Sequence, residues 1–471
     1  MNRFLRVNKR NFVIALVGIA ILILENYILG TINSKDDFEQ WNLYVSLIVL
    51  FNIFCVIFIF ARQKIKVLSL AGFFVILSYV FHFGQVIING FFPKYQYTLL
   101  NAVGKYKESV VRGELYALNI IVIVTIFIIV SSNCEYEMIC YHRFLEPDLR
   151  DVRRISWRIL SVTLPIQFLV VIRELVQAQT VSYGNGSESN GMLFQIGSLS
   201  IIGFVLLLFG NSENKNKVRI IMAFEIIWYI ISMFSGSRIY AVIAILILLY
   251  CYLCLDKEIR MWKFLLYLVL GIFFMGLLNS IMHVRSMGII SFSAIVEDML
   301  SFNSNFVLGT LEEFGGSIYT VTSGFDEIPQ NVPFNYGKSY IESFALIGVN
   351  VGGILTPIMD NIAFTTRFVN KYSYGGSYVG ELYYNFGLFS YFVAPLIGIV
   401  VGRVSSILNY CVRNKYYING SFYIMVFYGF ILWIRGYANA LPRGIVWGAA
   451  LIAIIYKTTH KCIKTTEESD N

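Results

Sequence analysis

Arg238 stands in the stretch "FSGSRIYAV", a Ser-Gly-Ser turn between two apolar runs. A guanidinium beside the Ser237 hydroxyl, opening a helix, has the donors of a phosphate-type site. The free N–H groups of that first turn and the helix dipole favour an anion there. The competing reading is an arginine reaching to lipid headgroups. Arg435 and Arg443 flank a second short turn, in "WIRGYANALPRGIVWG". Arg285 follows His283 in "MHVRSMG", and Arg367 lies in a long segment further on. Gathered around one cavity, these arginines would hold a polyanion such as a diphosphate without a metal ion.

Carboxylates supply the other half of the chemistry. Glu381 sits in "GGSYVGELYYNFG" and Glu313 in "LEEFGGS". A carboxylate partly withdrawn from water can serve as a general base. The alternatives are a structural pairing with an arginine for Glu381 and a solvated helix face for Glu313. His82 reads as a helix-packing histidine. The chain has no H-E-x-x-H, no phosphate-binding Walker loop and no acidic metal motif, so neither metal nor nucleotide is called for. Cys251 and Cys254 form an isolated C-x-x-C, which is weak evidence for a metal or redox role.

The elements that must position these residues are apolar helices. The chain of 471 residues is 57% hydrophobic and only 14% charged, well below the charge of a soluble domain. Its apolar runs are long enough to cross about 30 Å of hydrocarbon and show no period-two alternation. The expected class is therefore all-α, a polytopic membrane protein. Twelve spans are expected, near 12–30, 41–60, 67–90, 114–133, 157–177, 192–210, 218–234, 239–255, 264–283, 379–402, 419–435 and 441–457. No small-residue cleavage site follows the first, which reads as an uncleaved span. With this layout 24 of the 37 Lys and Arg fall on one side. That bias puts both termini in the cytoplasm. It also accounts for the net charge of +8 without nucleic acid. No cysteine falls in an outer loop, so no structural disulfide is implied.

The chain reads as one membrane domain, 1–471, with no convincing internal repeat. Residues 284–378 form a long outer segment, and loops of that length without a purpose are uncommon. "SFSAIVEDMLSFNSNFVLGTLEEF" has helical spacing. "YIESFALIGVNVGGILTP" reads as a re-entrant or interfacial helix, or alternatively as part of another pair of spans. "PQNVPFNYGKSY" is turn-rich. A cap over the outer face fits all three.

At "FSGSRIYAV", "YGKSYIESFALIGVNVGG" and "GGSYVGELYYNFG" the sequence resembles the Wzy-type polymerases of O-antigen, capsule and exopolysaccharide repeat units, along essentially the whole chain. It lacks a clean pair of arginine-rich motifs in two outer loops. The resemblance implies a glycosyltransferase of the bacterial cytoplasmic membrane, acting at its outer face. Its substrate would be an oligosaccharide on undecaprenyl diphosphate, with no cofactor. The growing chain would leave its lipid diphosphate for the nonreducing end of a new unit, by inverting, metal-independent displacement. Arg238 would then meet the leaving diphosphate, with Arg285, Arg367, Arg435 and Arg443 around it. Glu381 or Glu313 would take the proton, and tyrosines such as Tyr378 would stack on sugar. A flippase and a chain-length regulator are the partners such an enzyme works beside. The competing functions are a flippase or transporter for the same lipid-linked unit, and a ligase-like transferase.

Overall fold

The computed structural model describes residues 9–32, 37–63, 67–93, 108–132, 147–180, 191–233, 238–255, 292–300, 306–348, 353–368 and 375–469, with isolated positions between them. These residues are helical, with no strand among them. Nine described helical stretches are long and apolar enough to cross a bilayer, two of them, Met192–Gly210 and Tyr378–Arg413, made of successive helices. The expected number of twelve is therefore not reached among the described residues. The ninth expected span, 264–283, lies almost wholly outside them.

The helices are α1 (Lys9–Gly30), α2 (Phe38–Gln63), α3 (Leu70–Phe91), α4 (Glu108–Ser132), α5 (Leu149–Thr180), α6 (Gly191–Ser198), α7 (Ser200–Gly210), α8 (Lys215–Met233) and α9 (Arg238–Leu255). Then follow α10 (Phe292–Leu300), α11 (Phe306–Phe314), α12 (Ile318–Glu327), α13 (Lys338–Ala345) and α14 (Thr356–Ile362). The last four are α15 (Tyr378–Phe386), α16 (Ser390–Arg413), α17 (Tyr417–Ile434) and α18 (Ala440–Ser469). α8 carries Lys215, Lys217, Arg219 and Glu225, which sets it apart from the nine. α9, with its apolar part Ile239–Leu255, is a shorter helix of the same apolar kind.

Two compact units emerge. The first comprises 1–139, 311–409 and 430–442; the second comprises 140–310, 410–429 and 443–471. In the first, α2 packs on α3, α1 on α4, and α12 on α4 and α15. In the second, α5 packs on α6 and α7, and α9 on α8. Phe12, Leu16, Ile23, Leu47, Phe54 and Phe58 are exposed on α1 and α2. Outward apolar faces of this kind suit helices bathed in hydrocarbon, where the hydrophobic effect no longer drives side chains inward.

The structure departs from one expected span and bears on the alternatives left open at another stretch. The run 379–402 is not one helix. It breaks at Gly387, whose φ of +55° is open to glycine but costly to other residues. α15 before the break is buried from Tyr378 to Asn385, whereas α16 after it exposes Leu388, Phe389, Phe392 and Leu396 at or near its start. The hydropathy of the run hides this, because a buried helix and a lipid-facing helix are equally apolar. In the long segment 284–378, "YIESFALIGVNVGG" ends its helix at Ala345 after eight residues. At 1.5 Å per residue α13 rises about 12 Å, too little to span a bilayer.

Candidate functional site

In the first unit the polar groups centre on α15. Ser377 opens that helix: its Oγ accepts N–H bonds from Val379 at 3.1 Å and Gly380 at 3.2 Å. The same oxygen lies 2.7 Å from His82 Nε2, while His82 Nδ1 lies 2.8 Å from the Ser78 carbonyl. A carbonyl only accepts, so Nδ1 carries the proton and Nε2 accepts from the serine. His82 is thus the satisfied packing histidine its place on an apolar helix suggests.

One turn further, Glu381 is fully buried. Its Oε2 accepts from Trp433 Nε1 at 2.7 Å and from the Ala438 backbone N–H at 2.9 Å. Its Oε1 accepts from Ser339 Oγ at 3.2 Å. Asn385 Nδ2 donates to Ser339 Oγ at 2.8 Å and to the Glu381 carbonyl at 2.8 Å. One carboxylate thereby joins α13, α15, the end of α17 and the turn that follows it. Gly376 tightens the same junction: a Cβ there would lie 2.3 Å from the Gly436 carbonyl oxygen, so only glycine fits.

Tyr437 completes the turn. Its hydroxyl is 2.6 Å from Thr365 Oγ1 and donates to the Gly375 carbonyl at 3.1 Å. Burial pushes this hydroxyl up to about 12, against the opposing pull of its hydrogen bond to Thr365. It therefore stays protonated, and a donor, at neutral pH.

At the edge of α15 a second polar group gathers. Arg367 Nη1 donates to Tyr384 Oη at 2.9 Å and to Asn361 Oδ1 at 3.0 Å. Asn361 Nδ2 donates to Glu342, and Lys338 Nζ sits 3.4 Å from the other Glu342 oxygen. Arg367 is exposed.

The second unit holds the start of α9. Arg238 is the first residue of that helix; Ser237 and Arg285 lie outside the described residues. Beside this helix start, a cavity is lined by Gln167, Glu174, Ser198, Ser232, Tyr229 and Tyr240, among others. Tyr240 packs edge-on against Phe194 at 4.7 Å. Gln167 Oε1 accepts from Ser200 Oγ at 2.7 Å and Trp228 Nε1 at 3.1 Å. Arg443, in the first turn of α18, is half-buried, and its Nε has no hydrogen-bond partner among the described residues.

The expected site residues thus divide between the units. Glu313, Arg367, Tyr378, Glu381 and Arg435 belong to the first; Arg238 and Arg443 belong to the second. Tyr378 is buried between Phe74, His82 and Trp433, so its ring forms part of the packing. Arg435 is half-buried in the turn after α17, and Glu313 is half-buried near the end of α11. Sequence reasoning missed Ser339, Glu342, Asn361, Tyr384 and Trp433. Of these, only Glu342 carried a signal, as the partner of Lys338 in a charge pair four residues apart.

A family model for O-antigen polysaccharide polymerase Wzy matches residues 11–465. The chain belongs to that family. No curated protein and no solved structure matches it. The Wzy family is one of membrane polymerases, so the activity in general terms is polysaccharide polymerisation by glycosyl transfer, on a lipid-linked oligosaccharide substrate. The nine apolar helical stretches agree with a multi-pass membrane protein.

Proposed function

We propose that this Wzy-family protein joins undecaprenyl-diphosphate-linked oligosaccharide units into a surface polysaccharide, at the outer face of the bacterial cytoplasmic membrane. The family match along 11–465 carries the reading. The acceptor hydroxyl attacks the anomeric carbon of the growing chain. The bond to the lipid diphosphate breaks, and the configuration inverts. The diphosphate leaves with the bonding electrons, and cationic donors must meet that charge as it develops. In this reading Arg238 meets it, with Arg285 and Arg443 in support. The placement of Arg238 on the first turn of α9 supports this, because the helix dipole disfavours a cation there unless an anion is also bound. Both termini lie in the cytoplasm in this reading.

The two carboxylates take different roles. Both Glu381 oxygens are occupied by donors from the protein itself, which suits a positioning residue holding the turn after α17. In this reading Glu313, half-buried near the end of α11, is the base that takes the acceptor proton.

Polymer length in a deletion strain, complemented with variants at matched expression, tests this. Arg238→Ala should abolish long chains and Glu313→Gln should leave single units. A full ladder from either variant removes that residue from the mechanism. Loss of all surface glycan on deletion, rather than accumulation of single-unit glycan, would instead favour a flippase.

A further inference from the structure

Tyr336 is 84% exposed and holds φ at +48°, in the left-handed region that a residue with a Cβ rarely adopts. Its loop is firmly tied. The Asn335 N–H donates to the Tyr384 carbonyl at 3.0 Å, and the Lys338 N–H to the Asn335 carbonyl at 2.9 Å. A large ring is therefore set outward by a fixed backbone, with an edge-on contact to Phe334 at 6.5 Å that leaves most of it exposed.

The polar rim of α15 adjoins this loop. Asn361 Nδ2 reaches Asn335 Oδ1 at 3.5 Å, and the Asn361–Glu342 and Asn361–Arg367 bonds continue from there. We propose that Tyr336, Asn335, Asn361, Glu342 and Arg367 form a saccharide subsite on the first unit. The inference rests on the polymerase reading for the identity of the sugar chain, and deepens it.

Chemistry selects a sugar over a diphosphate. A pyranose presents a face of C–H bonds and an edge of hydroxyls. An exposed aromatic face suits the first, and guanidinium N–H groups held in place by the Asn361–Glu342 pair suit the second. The guanidinium uses only Nη1 for hydrogen bonds among the described residues, leaving Nη2 and Nε for sugar oxygens. Charge points the same way. Arg367 and Lys338 are offset by Glu342 and by exposed Asp360, beside Asn361 in sequence. A diphosphate calls for an excess of positive charge; a neutral oligosaccharide does not. The subsite thus assigns Arg367 to sugar recognition rather than to the diphosphate.

The test uses full-length protein in nanodiscs. The probe is the single-unit oligosaccharide released by mild acid from the lipid-linked pool of the producing strain. Calorimetry should show binding by the wild type. Tyr336→Ala should weaken it about tenfold and Tyr336→Phe about twofold or less. Glu342→Gln should also weaken it, and excess inorganic diphosphate should not displace the sugar. No binding by the wild type, unchanged binding by Tyr336→Ala, or displacement by diphosphate would each overturn the subsite. Unchanged binding would mark Tyr336 as an interfacial anchor instead. The polymer ladder of the complemented deletion strain reports separately: sugar binding without a ladder would sink the polymerase reading and leave the subsite standing.

Discussion

Glu381 offers the sharpest separation of a structural from a chemical role. Replacing it with alanine strands two buried donors, Trp433 Nε1 and the Ala438 N–H, and leaves Ser339 Oγ without one partner. A buried donor without an acceptor costs roughly 1–3 kcal/mol. Two such donors put the loss at about 4 kcal/mol, enough to threaten folding of a marginally stable protein. Glutamine behaves differently. Its Oε1 can keep Trp433 and Ala438, while its amide turns to donate to Ser339 Oγ, which can then donate to Asn385 Oδ1 at 3.1 Å. The remaining loss is the difference between charge-assisted and neutral hydrogen bonds, about 1 kcal/mol. Thermal unfolding in detergent, followed by fluorescence-detected size exclusion, should rank wild type, Glu381→Gln and Glu381→Ala in that order. Polymer length should survive in the glutamine variant. A general base typically contributes about 100- to 10,000-fold, so its loss would be plain. If Glu381→Gln is as stable as wild type yet makes no polymer, the positioning argument fails and Glu381 is the base after all.

Two further outcomes are expected. Ser377→Ala removes the N-cap of α15 and should lower stability by about 1 kcal/mol, measured by the same thermal assay. Tyr437 is raised from an ordinary value near 10 to about 12, so its contribution is complete below pH 10 and lost as pH rises toward 12. Stability measured from pH 8 to 12 should fall at the top of that range, and Tyr437→Phe should flatten the fall.

Much of the helical frame was legible from apolar runs. Most expected spans coincide with described helices, α9 among them. Glu381 was legible as a residue of interest because a carboxylate among glycines and aromatics stands out. Its partners were not legible, since Trp433 and Ala438 come from more than fifty residues away and only folding brings them in. Asn361 and Tyr384 escaped for the same reason: an amide and a phenol carry no charge pattern to mark them. The break at Gly387 escaped because glycine is common in apolar runs, and only the backbone angle separates a kink from a helix break.

The central claim, that this chain polymerises lipid-linked units, meets its most direct test in a reconstituted reaction. Purified full-length protein in nanodiscs is given the undecaprenyl-diphosphate-linked single unit and nothing else that could extend a chain. The account predicts a ladder of products differing by one repeat unit, with free undecaprenyl diphosphate released once per unit joined and both lost in Arg238→Ala. Substrate that stays monomeric, or that crosses the bilayer of a vesicle without extension, would contradict it.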